Sequence, residues 1–362
     1  MQKPRAYTAI GLMSGTSLDG IDAALIRTDG DQYVERLAFL TIPYDTVVRD
    51  SLRACLGLSS DVDGRVKKAE NDMTLAHAAV VGGLLALAHV PASQIDMIGF
   101  HGQTIFHDPA NGFTWQVGDG ALLAQETGIP VINDFRTNDV KAGGQGAPLI
   151  PVYHAALAST IDKPVAILNI GGVSNVTWIG ADGSVLAFDT GPGNALINDW
   201  IRQHTGEELD RDGQYAAQGM ADHAVLSRLM QNPFFATRPP KSLDRDAWNV
   251  SFLKDLSLED GAATLSAFTV GAVEQAVSHM PEKPKAWYVT GGGRLNPVLM
   301  DGLKKALRVP VEPVDVLGWD GDALEAEGFA YLAVRSHLGL PLSFPMTTGV
   351  VQPTTGGQAW SP

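Results

Sequence analysis

Gly11-Leu12-Met13-Ser14-Gly15-Thr16-Ser17-Leu18-Asp19-Gly20-Ile21-Asp22 is the stretch on which the reading of this chain turns. An apolar run, Ala9 to Met13, enters it, and a second, Ile21 to Ile26, leaves it. That is the pattern of two strands joined by a tight turn. Glycines let backbone N–H groups approach an anion closely, and the hydroxyls of Ser14, Thr16 and Ser17 add donors. Such a hairpin suits the terminal phosphates of a nucleotide; the plainer alternative is a polar hairpin tip.

Composition narrows the field. At 362 residues the chain has room for about two domains and a large core. A formal charge of −14 argues against broad binding to nucleic acid or to an anionic membrane. An anionic ligand therefore needs local help from Arg, Lys or glycine-rich backbone. One cysteine, Cys55, excludes an intramolecular disulfide. No secretory signal follows Met1 to Arg5, and no apolar run reads as long enough to span a bilayer, since even Ala76 to Val90 is interrupted by His77 and His89. The expectation is a cytoplasmic protein.

Further along, the sequence predicts a third strand over 33–42, a helix from Asp45 to Cys55 and a long helix over 65–89. Strands are expected over 94–100, 113–117 and 131–133, with Asp119 capping a helix that ends at Thr127. Thr137 to Leu149 is glycine-rich and aperiodic, and reads as a functional loop and a domain junction. Then the pattern restarts: strands over 165–170 and 173–179 flank Gly171-Gly172, and a strand over 185–188 runs into Asp189-Thr190-Gly191-Pro192-Gly193-Asn194. This echo of the opening hairpin suggests an internal duplication of fold. Helices are expected over 195–204, across most of 211–248 with a loop from Asn232 to Asp244, and over 258–279, 295–307 and 321–337, with a strand over 286–290. The tail from Pro341 is apolar but irregular, and is expected to pack back on the first domain.

The commonest nucleotide and hydrolase motifs are absent: there is no Gly-x-x-x-x-Gly-Lys-Ser/Thr, Gly-x-Gly-x-x-Gly, His-Glu-x-x-His or Gly-x-Ser-x-Gly. What remains is a set of glycine-rich turns at the ends of apolar strands. Thr290 to Arg294 follows a strand and is expected to open a helix, so its N–H groups are expected at a positive dipole end. Asp189 follows an apolar strand and precedes a stiff turn, the fixed placement that a general base needs. The alternative for Asp189 is a turn residue bonded to its own backbone.

Gly11 to Asp22, His101 to Thr104, Gln116 to Asp119, Asp134 to Arg136, Gly143 to Pro148, Asn169 to Asn175, Phe188 to Asn194 and Thr290 to Gly293 occur in this order. The series resembles the anhydro-N-acetylmuramic acid kinase family, of the sugar kinase, Hsp70 and actin superfamily. The resemblance implies an α/β, two-domain ribonuclease H-like (actin-like ATPase) fold with an interdomain cleft where ATP and sugar meet. The expected domains are 1–140 with about 340–362, and 141–339. It also implies that ATP and water convert 1,6-anhydro-N-acetylmuramate into N-acetylmuramate 6-phosphate and ADP, in recycling of the cell's own murein.

By that resemblance Asp189 deprotonates the water that attacks C1, and Glu325 assists it; Glu327 beside it reads from the residues as a solvated helix carboxylate. Gly15, Thr16, Ser17, Leu18, Asp19, Gly20, Ile21 and Asp22, with Gly171, Gly172, Gly291 and Gly292, are expected to hold the nucleotide. Mg²⁺ is expected on its phosphates, and Asp19 and Asp22 are both open as its ligands. Arg136 is expected to take the lactyl carboxylate, because a guanidinium binds a carboxylate bidentately. His101 and Gln103 are candidates for the sugar hydroxyls or acetamide. Lys141 departs from the small residue usual in the family, and Lys241-Ser242 matches a further family motif that suggests no role. A homodimer is expected. The rival readings are a kinase for a neutral anhydrosugar such as levoglucosan and a non-catalytic ATP-binding switch.

Overall fold

The computed structural model describes residues 5–15, 17–243, 248 and 250–362. The chain opens with three antiparallel strands, β1 (Tyr7–Met13), β2 (Gly20–Thr28) and β3 (Val34–Pro43). Asp45 caps α1 (Thr46–Arg53) by accepting from the Val48 amide. The long helix α2 (Arg65–Ala88) buries Val66, Ala69, Met73, His77, Val80, Val81 and Leu84, a stripe at helical spacing. By length and composition α2 is apolar enough to cross a membrane, contrary to the sequence expectation; here its stripe packs into the core of the first sheet. Then come β4 (Met97–Phe100), β5 (Gln103–Asp108), β6 (Phe113–Val117), α3 (Gly120–Thr127) and β7 (Val131–Asn133). The expected strand over 94–100 starts late because Ala92–Gln94 forms a 3-10 turn, and β5 was not foreseen. Within the stretch read as an aperiodic loop, Thr137–Lys141 is a short helix, α4, followed by α5 (Pro151–Leu157).

The second half forms β8 (Val165–Ile170), β9 (Val173–Ile179), β10 (Val185–Pro192) and α6 (Ala195–Thr205). Between Arg211 and Trp248 the only α-helix among the described residues is α7 (His223–Met230); the described part of the expected loop over 232–244 is coil with one 3-10 turn, and 211–222 is less helical than expected. Next are α8 (Leu258–Ala276), β11 (Ala286–Thr290), α9 (Pro297–Leu307) and β12 (Val311–Pro313). The chain closes with α10 (Leu324–His337) and β13 (Gln358–Trp360).

Two compact units result: Met1–Thr160 with Ala323–Pro362, and Ile161–Asp322. The first holds a sheet of order β13-β7-β4-β1-β2-β3, and the second a sheet of order β10-β9-β8-β11-β12. In each, the opening strand sits between an antiparallel pair on one side and two parallel strands on the other. This shared order is the ribonuclease H-like arrangement, present twice, as the echo of the opening hairpin suggested.

The limits of the units differ from the expected ones. The first extends to Thr160 rather than ending near 140, and it includes α10, which had been placed in the second. The reason is local packing. A Cβ at Gly11 on β1 would run into the Ala326 carbonyl, and one at Gly99 on β4 into that of Phe329. Two bare Cα positions thus let α10 lie directly on the first sheet. The tail does return to that sheet: β13 pairs with β7, and Trp360 Nε1 donates to Asn133 Oδ1 at 2.9 Å.

Candidate functional site

In the first unit the β1–β2 turn is built from its own polar groups. The Leu18 amide donates to the Gly15 carbonyl at 3.1 Å, and Leu18 takes a positive φ of 56°. Asp19 Oδ1 accepts from Ser17 Oγ at 2.9 Å and from the Gly20 amide at 3.1 Å. Ser14 is buried; its Oγ donates to Gln103 Oε1 at 2.7 Å and accepts from Tyr44 OH at 2.9 Å. Asp22, half-buried, accepts from Thr41 Oγ1 at 2.7 Å.

These facts sort the expected nucleotide contacts. Gly15, Ser17 and Asp19 stand at least partly open to solvent at the turn, and Thr16 lies outside the described residues. Leu18 and Ile21 are core side chains, so only their backbone remains to offer. Gly20, Ile21 and Asp22 are already strand residues, in register with Pro43, Ile42 and Thr41 on β3. The turn itself is therefore shorter than the motif.

Beyond β4, His101 and Gln103 are buried. His101 Nδ1 faces the Gly102 carbonyl at 2.7 Å, and Nε2 accepts from Arg136 Nε and Nη2 at 3.1 and 2.9 Å. Burial and the adjacent guanidinium hold its pKa well below the usual histidine value, so the ring is neutral with the proton on Nδ1. Gln103 Nε2 donates to the Thr104 carbonyl at 3.3 Å while its Oε1 holds Ser14. His101 engages both ring nitrogens, with Gly102 and Arg136, so the contact to a sugar expected of it is not what the geometry offers, whereas Gln103 braces Ser14 and keeps the second N–H of Nε2.

Arg136 also donates through Nη1 to the Gly146 carbonyl at 2.7 Å. Three of its five N–H donors are thus engaged and two remain. Burial lowers its pKa to about 10, opposed by the charges of Glu325 and Asp139, so it is a cation at neutral pH. Glu325 is exposed on the first turn of α10. Glu327, read as the solvated neighbour, is instead buried and accepts from Tyr153 OH at 2.7 Å. Helical spacing alone does not say which of two carboxylates two positions apart faces inward. Lys141 is exposed at the end of α4.

In the second unit Asp189, Asn175, Asn169 and Thr290 stand in one rank across β10, β9, β8 and β11. Strand alternation puts these four on one face and Phe188, Val176, Leu168 and Val289, all buried, on the other. The β10 ladder is irregular between Asp189 and Gly191, and there Thr190 turns its hydroxyl onto Ser174. Asp189 is held from a distant segment: its amide donates to the Lys241 carbonyl at 3.0 Å, and its Oδ2 accepts from the Leu243 amide at 2.7 Å. Among the described residues its other carboxylate oxygen accepts nothing. Burial raises its pKa to about 7, against the pull of the Leu243 amide and the Lys241 charge.

The two glycine pairs of this unit come together. β8 and β11 are parallel neighbours, so Gly171-Gly172 and Gly291-Gly292 leave the same end of the sheet. A Cβ at Gly291, whose φ is +74°, would strike the Asn169 side chain, and one at Gly292 would meet Asn194 Nδ2 at 3.7 Å. The carbonyls of Gly171 and Gly172 accept from the amides of Gly193, Asn194 and Ala195. Their own amides make no bond among the described residues, which leaves them for an anion. One expectation fails here: Gly291 and Gly292 do not open a helix. Residues Gly292–Leu295 form a 3-10 turn, and α9 starts later, its first amides taken by the Asn296 side chain. Asn169, Asn175 and Asn194 stand in motifs quoted from the sequence, and Lys241-Ser242 in another, but none carried a role of its own there, and Leu243 and the clamp on Asp189 were not expected. For Asn169 and Asn175 a signal existed, since each is a polar residue in an otherwise apolar strand. For the clamp none did, because it joins β10 to a segment 54 positions away.

The sequence matches the family described as anhydro-N-acetylmuramic acid kinase over residues 7–361. A curated relative of that name from Rhizorhabdus wittichii is 53% identical over 360 residues, covering 98% of this chain and 99% of the relative. Another of the same name, from Rhodospirillum rubrum, is 51% identical over 357 residues, covering 98% and 94%. Among solved structures, component A of (R)-2-hydroxyglutaryl-CoA dehydratase from Acidaminococcus fermentans aligns with a TM-score of 0.48 at 14% identity, covering 91% and 99%. Gluconate kinase from Lactobacillus acidophilus aligns with a TM-score of 0.41 at 12% identity, covering 99% and 94%. With a match that spans nearly its whole length and relatives above 50% identity, this chain belongs to the anhydro-N-acetylmuramic acid kinase family.

Proposed function

We propose that the protein is an ATP-dependent kinase that opens 1,6-anhydro-N-acetylmuramic acid with water and phosphorylates O6, giving N-acetylmuramic acid 6-phosphate and ADP. One observation carries the reading: Asp189 is a half-buried carboxylate with a pKa raised to about 7, aimed by a β-bulge and a backbone amide. A base with that affinity for protons is ionised enough to act and basic enough to accept at neutral pH. The balance is as follows. The oxygen of water bonds to C1 and its proton passes to Asp189. The C1–O6 bond breaks, O6 bonds to the γ-phosphorus, and the bond from that phosphorus to ADP breaks. The proton later leaves Asp189 for solvent.

The remaining roles follow from the chemistry of each group. Gly171 and Gly172 supply amides to the nucleotide, and Gly15 and Ser17 supply donors at the β1–β2 turn. Arg136 receives the lactyl carboxylate on its two remaining N–H groups, with His101 fixing its plane. Glu325 stands beside that guanidinium's field and assists in placing the water. Mg²⁺, when bound, neutralises charge on the transferred phosphoryl group. Asp19 and Asp22 suit it, as two carboxylates among hydroxyls for an ion that keeps several waters. Among the described residues no group of three potential metal ligands gathers, which fits a metal held mainly by phosphate. Recycling of murein in the cytoplasm, by a homodimer, completes the proposal.

The test is ADP release with 1,6-anhydro-N-acetylmuramic acid and with levoglucosan, in ¹⁸O water. Label at C1 of a 6-phosphorylated muramate supports the reading. Faster turnover with levoglucosan would replace the substrate, and ATP binding without sugar-dependent ADP release would leave a switch.

A further inference from the structure

Lys241 is an unusual lysine. It is 7% exposed, in a chain where most lysines are solvated. Its Nζ donates to the Phe234 carbonyl at 2.9 Å. The ammonium lies 4.3 Å from the centre of the Phe234 ring and 5.8 Å from that of Phe188, the residue before Asp189. Among the described residues it has no carboxylate within ion-pair distance. A buried cation without a salt bridge is costly, and one carbonyl with two ring faces offsets only part of that cost. The Lys241 main chain meanwhile accepts the Asp189 amide, and Leu243, two residues on, donates to the Asp189 carboxylate.

We infer that Lys241 is a positioning residue for Asp189: its caged ammonium, carried on the same segment that grips the carboxylate, keeps Asp189 ionised and fixed in aim. The inference rests on Asp189 being the base. Two effects oppose each other at that carboxylate. Burial favours the protonated acid, which cannot accept a proton from water; the nearby cation favours the carboxylate. The coupling runs both ways: the Lys241 charge lowers the pKa of Asp189, and Asp189 partly offsets the burial that brings Lys241 down to about 8. Asp189 is the only titratable group on β10. Among the described residues, the groups that face this corner from the elements packed around it are Lys241 and His279, whose ring stands edge-on to Phe188 and whose Nε2 is bonded to the Phe235 carbonyl. His279 is thus tied away from the carboxylate, and among the described residues Lys241 is the cation that acts on it. Phe234 and Phe235 supply both anchors, which makes the 3-10 turn Pro233–Ala236 the frame of the arrangement.

The experiment compares wild type, Lys241→Met and Lys241→Arg. Methionine keeps an apolar stem against the rings and removes the charge. The acid limb of kcat/KM for the sugar is expected to move up by about one pH unit in Lys241→Met, a loss of about fivefold at pH 7 that closes above pH 9. KM for ATP stays the same, and Lys241→Arg restores most of the shift. Coupling is reciprocal, so a second measurement does not depend on that variant folding. In Asp189→Asn the ¹³Cε signal of Lys241 must titrate at a lower pH than in the wild type. Equal acid limbs in wild type and Lys241→Met, or an unmoved lysine midpoint in Asp189→Asn, overturns the inference. Asp189→Asn with near-normal turnover would instead overturn the proposed function, whatever the lysine does.

Discussion

Asp189 on β10 faces Asn175 on β9 in the antiparallel ladder, and the register slips at the very next step, so the carboxylate sits at the last regular rung. A rung fixes the backbone of Asp189, and the slip frees the chain beyond it to turn. The Asp189→Asn variant keeps the shape and loses the proton acceptor. Sugar-dependent ADP release is expected to fall at least about a hundredfold, the scale of a positioned general base. ATP affinity by calorimetry should be unchanged.

The same carboxylate sets a pH dependence. With its pKa raised to about 7, Asp189 is progressively protonated below that value, and kcat/KM is expected to fall about tenfold per unit on the acid side. The sign for stability runs the other way. A folded-state pKa above the unfolded one contributes stability at low pH that is lost as pH rises through about 7. Asp189→Asn should therefore melt higher than wild type at pH 8, with the gap narrowing towards pH 4. Equal melting differences at both pH values would contradict the burial-driven shift.

Arg136 has two N–H groups left after His101 and Gly146. Arg136→Gln should raise KM for the anhydro-muramate about tenfold or more while leaving KM for ATP in place, because one charged hydrogen-bonded contact is worth about 1.5–3 kcal/mol. Steady-state kinetics with each substrate varied in turn reads the split.

Gly11→Ala puts a methyl group against the Ala326 carbonyl. Backbone on both sides leaves nothing flexible to give way. A loss of about 2–3 kcal/mol or more is expected in urea denaturation, as for overpacked cores.

Tyr153→Phe removes the hydroxyl that meets the buried Glu327 carboxylate at 2.7 Å. Denaturation should show a loss of about 1.5–3 kcal/mol, the cost of taking a hydrogen bond from a charged group. Turnover should be close to wild type.

How much of this was legible in the sequence depends on distance along the chain. The hairpin at Gly11 to Asp22, the α2 stripe and the strand at Val165 to Ile170 follow from local periodicity, and the structure keeps them. The membership of α10 was misplaced because its partner glycines, Gly11 and Gly99, lie more than 200 positions earlier. Propensity finds a helix but not the sheet it covers. The site divides in the same way. Asp189 was visible as a carboxylate after a strand, whereas the Lys241–Leu243 clamp on it is a non-local contact in a segment without periodicity. His101 and Gln103 were visible as polar residues at a strand end, but their inward engagement depends on Arg136 and Ser14, which sequence does not place beside them.

The first unit draws its strands from one part of the chain and its covering helix from another, with Ile161–Asp322 inserted between. During synthesis, β1 and β4 emerge long before α10 can lie on them. At roughly 5–20 residues per second the wait is on the order of tens of seconds. The inserted unit, contiguous in the chain, can finish folding within that wait. A chain truncated after residue 322 and released should therefore yield a protease-resistant second unit alongside a first unit still open to cleavage.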